Sequence, residues 1–206
     1  MRVLPIRVFI GLLFGLLMIN TVIASAAIGP EALIKQTTAE VLKQIKANSA
    51  EYQNHPEQLY ALVDEVVLPH FDFAAMTDLA LGRYKDKADA KQKVQIVKEF
   101  RTLLVRTYGK ALLEYNDQVL TYLPITGSEV DGKVTVRTQI EQPSGFPIPL
   151  NYRFKQDGQD WKVYDITVDD ISLVTNYRSG FARQIRKKGI DGLIELLRNR
   201  NADQSG

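Results

Sequence analysis

The sequence predicts an α+β domain in which a four-stranded antiparallel sheet packs with N-terminal and C-terminal helices. Three observations point there. Apolar residues recur at spacings of three and four up to about Tyr115, alternate every second position from there to Val168, and return to the helical period after Ser172. Neither an internal repeat nor a low-complexity linker interrupts this order, so residues 27–206 read as a single domain.

The elements follow in turn. "PEALIKQTTAEVLKQIKAN" starts at Pro30 and puts Leu33, Ile34, Thr37, Val41, Leu42 and Ile45 on one side of a helix. A second helix starts at Pro56, carries Leu59, Leu62, Val63 and Val66, and should stop by Leu68 because Pro69 follows. "FDFAAMTDLALG" predicts a short helix capped by Asp72 and ended by Gly82. The longest helical pattern follows, with Val94, Val97, Phe100, Leu104, Tyr108, Ala111, Leu112 and Tyr115 on its stripe and Gly109 as an irregularity.

Strands are expected in "DQVLTYLPI", then after the Asp131-Gly132 turn in "KVTVRTQI", in "IPLNYRF" and in "WKVYDITV". Their short links favour an antiparallel meander, with Pro149 placing the start of the third strand at an edge or a bulge. A final helix pair is expected over about Ser172 to Lys187 and Ile190 to Asn199, separated at Gly189.

The first residues read as a secretory leader over 1–26. Arg2 and Arg7 precede an apolar run from about Val8 to Ile19, and Ala24-Ser25-Ala26 is a cleavage site of the A-x-A kind. That run is shorter than the roughly 20 residues that span a bilayer. Cleavage leaves about 180 residues, enough for one substantial core. It also removes two arginines and no acid, bringing the 26 Lys and Arg level with the 24 Asp and Glu. Nucleic acid as a partner therefore loses its electrostatic support. The absence of cysteine excludes disulfides and fits a bacterial periplasmic protein.

Catalytic motifs are sparse. With no cysteine, two histidines and no G-x-S-x-G elbow, neither a nucleophilic hydrolase nor a zinc site is well supplied. His55 precedes a helix-starting proline, and His70 adjoins Phe71 in a packing position. Asp165 beside Tyr164 admits acid-base work in a cone-shaped α+β enzyme, although Asp169 and Asp170 fit better as carboxylates at a helix start. Arg178 lies one position off the stripe Val174, Tyr177, Phe181, Ile185, where an ordinary salt bridge is expected.

Simple alternation puts Trp161 and Val163 on one face of the fourth strand and Tyr164, Ile166 and Val168 on the other, so both faces of the sheet should be covered. The covering can be a filled core or an apolar cavity. Tyr108, Tyr115, Val136, Leu150 and Tyr152 would suit a cavity wall, since a tyrosine ring tolerates an apolar ligand while its hydroxyl reaches water or a polar head.

Four stretches in this order, "LPHFDFAAMTDLALGRY", "EFRTLLVRTYGKALLEY", "VRTQI" and "WKVYDITVDDISLVTNYRSGF", resemble the periplasmic phospholipid-binding proteins of the MlaC family, the toluene-tolerance auxiliary proteins. The resemblance covers almost all of the mature chain and departs from the family's pattern at Lys85, where a tryptophan is usual, and at Asp170, where a glycine is. It implies a soluble, non-catalytic carrier in the periplasm of a Gram-negative bacterium, with phospholipid as cargo and neither cofactor nor metal. Its implied partners are an outer-membrane lipoprotein-porin complex and an inner-membrane ABC transporter complex with a periplasmic lipid-binding subunit, the exchange maintaining outer-membrane lipid asymmetry. The implied fold holds a deep apolar pocket for the tails between sheet and helices. Carried over residue by residue, Phe71, Met76 and Leu81 form its helical wall, with Leu104, Tyr108 and Leu112 on the long helix. Tyr164, Ile166, Ile171, Val174 and Tyr177 form the strand-to-helix corner. The rivals are the Asp/Tyr enzyme and a periplasmic adaptor with a solid core.

Overall fold

The computed structural model describes residues 28–113, 118–124, 131–142 and 145–203. The expected leader and Tyr115 lie outside them. Helix α1 (Pro30–Ala47) begins at its proline, whose missing N–H costs nothing in the first turn. Helix α2 (Ser49–Asn54) was not foreseen, and α3 (Pro56–Leu62) starts at Pro56. Beyond Leu62 the chain widens into a π-helical turn, Val63–Val67, then tightens into a 3-10 turn, Leu68–His70, that contains Pro69.

Helix α4 (Phe73–Leu81) is capped as its sequence predicts: the Asp72 carboxylate accepts a hydrogen bond from the Ala75 amide at 2.8 Å. Burial alone would raise the Asp72 pKa. The Lys155 ammonium, 2.5 Å away, and the helix amides outweigh that and hold it below the usual carboxylate range. Asp72→Ala is expected to cost about 1 to 2 kcal/mol in urea denaturation at neutral pH. Because the folded pKa is depressed, this stabilisation is present above the unfolded value and is lost as the pH falls through the folded one. Wild type and variant should converge in acid; a gap that persisted there would disprove the electrostatic origin.

Helix α5 (Ala90–Leu113) starts at a reciprocal cap in which the Asp89 carboxylate accepts from the Gln92 amide and the Gln92 side chain accepts from the Asp89 amide. Its buried stripe is Ile96, Phe100, Leu103 and Leu104, whereas Val94 is 70% exposed. After a 3-10 turn, Thr175–Tyr177, helix α6 (Arg178–Asp203) is broken at Gly189, whose φ of 71° suits a residue without Cβ.

The sheet has five strands, not four. Strands β1 (Leu120–Tyr122), β2 (Lys133–Ile140), β3 (Ile148–Asp157), β4 (Asp160–Val168) and β5 (Ile171–Ser172) form an antiparallel meander in sequential order. The fifth arises where a helix start was expected. Asp169 and Asp170 have φ of 49° and 61°, a pair of positive values that closes a two-residue hairpin loop, so Thr167 pairs with Ser172 and Val168 with Ile171. The acids cap no helix there; Ser172 Oγ accepts from the Thr175 amide at 2.9 Å ahead of the 3-10 turn.

A β-bulge corrects a second expectation. Phe154 pairs with Val163 and the next residue, Arg153, with Asp165, which leaves Tyr164 as the extra residue of β4. Alternation resumes one position out of phase. Val163 and Ile166 therefore share the inner face with Phe154 and Tyr152, while Asp165 and Thr167 share the outer face with Arg153 and Asn151. The apparent apolar surplus on both faces was an effect of counting across the bulge; the outer face around it is polar.

Among the described residues the interior falls into three clusters. A solid one joins α4, α5 and α6, with Phe100 edge-to-face against Tyr177 and Phe181 at centroid distances of 5.1 and 5.2 Å. A second joins Ile34 to Val136, Phe154 and Val163 on the sheet. The third joins Val41, Ile45, Tyr52 and Leu59 among the first three helices.

Candidate functional site

Between the second and third clusters lies a cavity of about 670 Å³, within the size range of ligand pockets. Helix α1 contributes Ile34, Thr37, Thr38, Val41 and Leu42, and the π-helical turn contributes Val63 and Val67. Phe71, Phe73 and Met76 close one end, and Leu104, Val105, Tyr108, Gly109 and Leu112 line it from α5. The inner sheet face supplies Leu120, Ile140, Ile148, Leu150, Tyr152 and Ile166. Gly109 is small for a reason that its sequence context conceals: a Cβ there would come within 3.1 Å of the Tyr60 ring.

The wall's chemistry is uniform. Among the described residues that line it, none is Asp, Glu, Lys or Arg. His70 is driven towards its neutral form, first by burial and then by the Lys162 ammonium. Burial pushes the Tyr108 hydroxyl up to about 12, helped by Tyr177, and moves that of Tyr152 well up as well. Tyr152 is partly buried and lines the cavity. An uncharged apolar space of this kind takes hydrocarbon and offers little to a reacting polar centre.

The structure brings eight of the candidate residues together on this wall: Phe71, Met76, Leu104, Tyr108, Leu112, Leu150, Tyr152 and Ile166. Others lie elsewhere. Leu81 and Val174 are buried in the solid helical cluster, where Tyr177 packs on Phe100. Val136 is buried in the sheet cluster. Tyr164 lies beneath the Arg153 guanidinium at 5.0 Å, and Ile171 is 60% exposed. The wall formed by α1 and the π-helical turn was not foreseen. Ile148 had a signal, because it shares its strand face with Leu150 and Tyr152.

The polar corner is a structural joint. Asp165 is fully buried, accepting from Ser172 Oγ at 2.8 Å and from Arg153 at 3.2 Å. Its register places it on the sheet face away from the cavity, so the carboxylate proposed for an Asp/Tyr enzyme is both engaged and misplaced for one. Arg178 makes no salt bridge of the expected kind among the described residues. Its Nε and Nη2 donate to the Leu79 carbonyl at 3.0 and 2.8 Å, closing the end of α4. Among the described residues no three His, Asp or Glu side chains gather to hold a metal.

The family model described as MlaC protein matches residues 35–199. The chain belongs to the MlaC family. It is 30% identical over 168 residues to the toluene tolerance protein ttg2D of Pseudomonas putida, covering 81% of this chain and 77% of that one. It is 26% identical over 177 residues to the intermembrane phospholipid transport system binding protein MlaC of Haemophilus influenzae, covering 84% and 83%. Among solved structures it resembles the phospholipid-binding protein of Ralstonia solanacearum in complex with a phospholipid, with a TM-score of 0.77 and 34% identity over 85% of this chain and 98% of that one.

Proposed function

We propose that this chain is a soluble periplasmic carrier that houses the acyl tails of a phospholipid in its cavity and moves the lipid between outer- and inner-membrane complexes. The supporting observation is the uncharged 670 Å³ cavity in a fold shared with a phospholipid-bound relative. Burying a methylene gains about 0.8 kcal/mol, so a tail of some fifteen methylenes gains roughly 12 kcal/mol on leaving water. Membrane and cavity offer the tail similar surroundings. Transfer is therefore close to reversible, and direction is left to the partners: an outer-membrane lipoprotein-porin complex and an inner-membrane ABC transporter with its periplasmic lipid-binding subunit. A wall without charged groups also favours broad head-group acceptance.

The test is native mass spectrometry of the chain expressed with its leader and purified from the periplasm, followed by lipid extraction. A mass lacking residues 1–26 and carrying phospholipid is expected. A protein that was consistently lipid-free and took up none from vesicles would refute the carrier reading. In competitive exchange, lipids that differ only in head group should be retained alike, and strong retention of one class would exclude broad acceptance.

A further inference from the structure

Few large apolar residues of the described chain are exposed, and three of them share one end of the sheet. Val119, 60% exposed, precedes β1, and its carbonyl accepts the Glu141 amide at 2.9 Å, just beyond the end of β2. Phe146, 93% exposed, lies two residues before the first residue of β3. Ile171, 60% exposed, pairs with Val168, which in turn pairs with Leu150 of β3. Their neighbours Gln118, Gln142, Ile148 and Leu150 line the cavity, so this apolar rim continues the cavity wall onto the protein surface.

We propose that Val119, Phe146 and Ile171 form a lip that touches a zwitterionic lipid surface and lets acyl tails pass between bilayer and cavity without crossing water. The proposal rests on the carrier reading. Its physical basis is continuity: a tail leaving the wall at Ile148 meets apolar side chains at the exit. A gap at that point would expose methylenes at about 0.8 kcal/mol each.

Charge selects the kind of surface. Among the described residues at this end of the sheet, the charged side chains are Glu141, Asp169 and Asp170, with no lysine or arginine. Hydrogen bonds from Gln139 and Thr121 hold the Glu141 carboxyl below the usual carboxylate range. Such a rim is repelled by anionic head groups and accepted by zwitterionic ones. Three apolar side chains are also too few for lasting attachment, since even a single myristoyl chain binds a membrane only marginally, and they suit a brief collision.

The experiment follows transfer of a fluorescent phospholipid from loaded protein to vesicles of pure phosphatidylcholine, and to vesicles containing added phosphatidylglycerol. Wild type should transfer at a rate that rises with vesicle concentration and falls when phosphatidylglycerol is added. Phe146→Ser should slow transfer by about tenfold, given the apolar area withdrawn from the contact. Val119→Ser and Ile171→Ser should each slow it by less. Val94→Ser removes an equally exposed apolar residue from the start of α5 and should leave the rate unchanged.

Native mass spectrometry of each variant separates the two readings. Retained lipid with slowed transfer supports the lip. Retained lipid with unchanged transfer in Phe146→Ser overturns it and assigns the rim to a protein contact instead. Faster transfer to anionic vesicles would also overturn it. A wild type that held no lipid would remove the carrier reading and the lip with it.

Discussion

Ile166→Trp is expected to leave the protein folded and to weaken phospholipid retention roughly a hundredfold. Ile166 sits on the inner sheet face opposite Tyr152, and its side chain borders the cavity. An indole there projects into the space. Excluding about four methylenes of a tail at 0.8 kcal/mol each corresponds to roughly that loss in affinity. Tyr164→Trp is the matched control. It lies two positions upstream in the same strand, but the bulge turns it outward beneath Arg153. Vesicle uptake read by native mass spectrometry, with circular dichroism for the fold, decides the matter. Normal uptake by a folded Ile166→Trp protein would take this wall out of the binding site, as would equal losses in both variants.

Phe100→Ala should have the largest effect on stability, about 3–5 kcal/mol, with a fall in Tm of roughly 10 °C. The ring is fully buried and holds Tyr177 and Phe181 edge-to-face where α5 meets α6. It does not border the cavity. The folded fraction should therefore retain lipid, so stability and binding separate in opposite senses in the two variants. Urea denaturation measures the first quantity and lipid extraction the second. A Phe100→Ala protein of unchanged stability would show that this ring does not hold the helical cluster together.

Much of the fold can be read directly from residue chemistry. Pro30 and Pro56 start helices, Asp72 caps one, Gly189 breaks one, and Asp131-Gly132 precedes β2. The fifth strand could not be read in this way. Two adjacent acids before an apolar residue serve a helix start and a tight hairpin equally well, and only their positive φ distinguishes the two. Nor does composition reveal a bulge: one extra residue at Tyr164 reversed the inferred facing of every β4 residue on one side of it. The cavity wall was legible on α5 and the sheet, where Leu104, Tyr108, Leu150, Tyr152 and Ile166 were candidates. On α1 an Ile45 that packs and a Leu42 that borders open space present the same periodic pattern. Val174 and Tyr177 show the converse, since a stripe that could face a ligand instead faces Phe100.

The three clusters divide the molecule unequally. One half is a finished solid, built on Phe100, Phe181, Leu193 and Leu197. The other borders a cavity of about 670 Å³ that opens to the surface and that the described side chains do not fill. Protein interiors ordinarily approach crystal density, so atoms facing such a space forgo dispersion contacts that a guest can restore. Cargo is then a removable part of the hydrophobic core, and anything bound only by the folded state adds to its stability. A carrier without its cargo is then expected to be the less stable species, with a lower Tm than the loaded one.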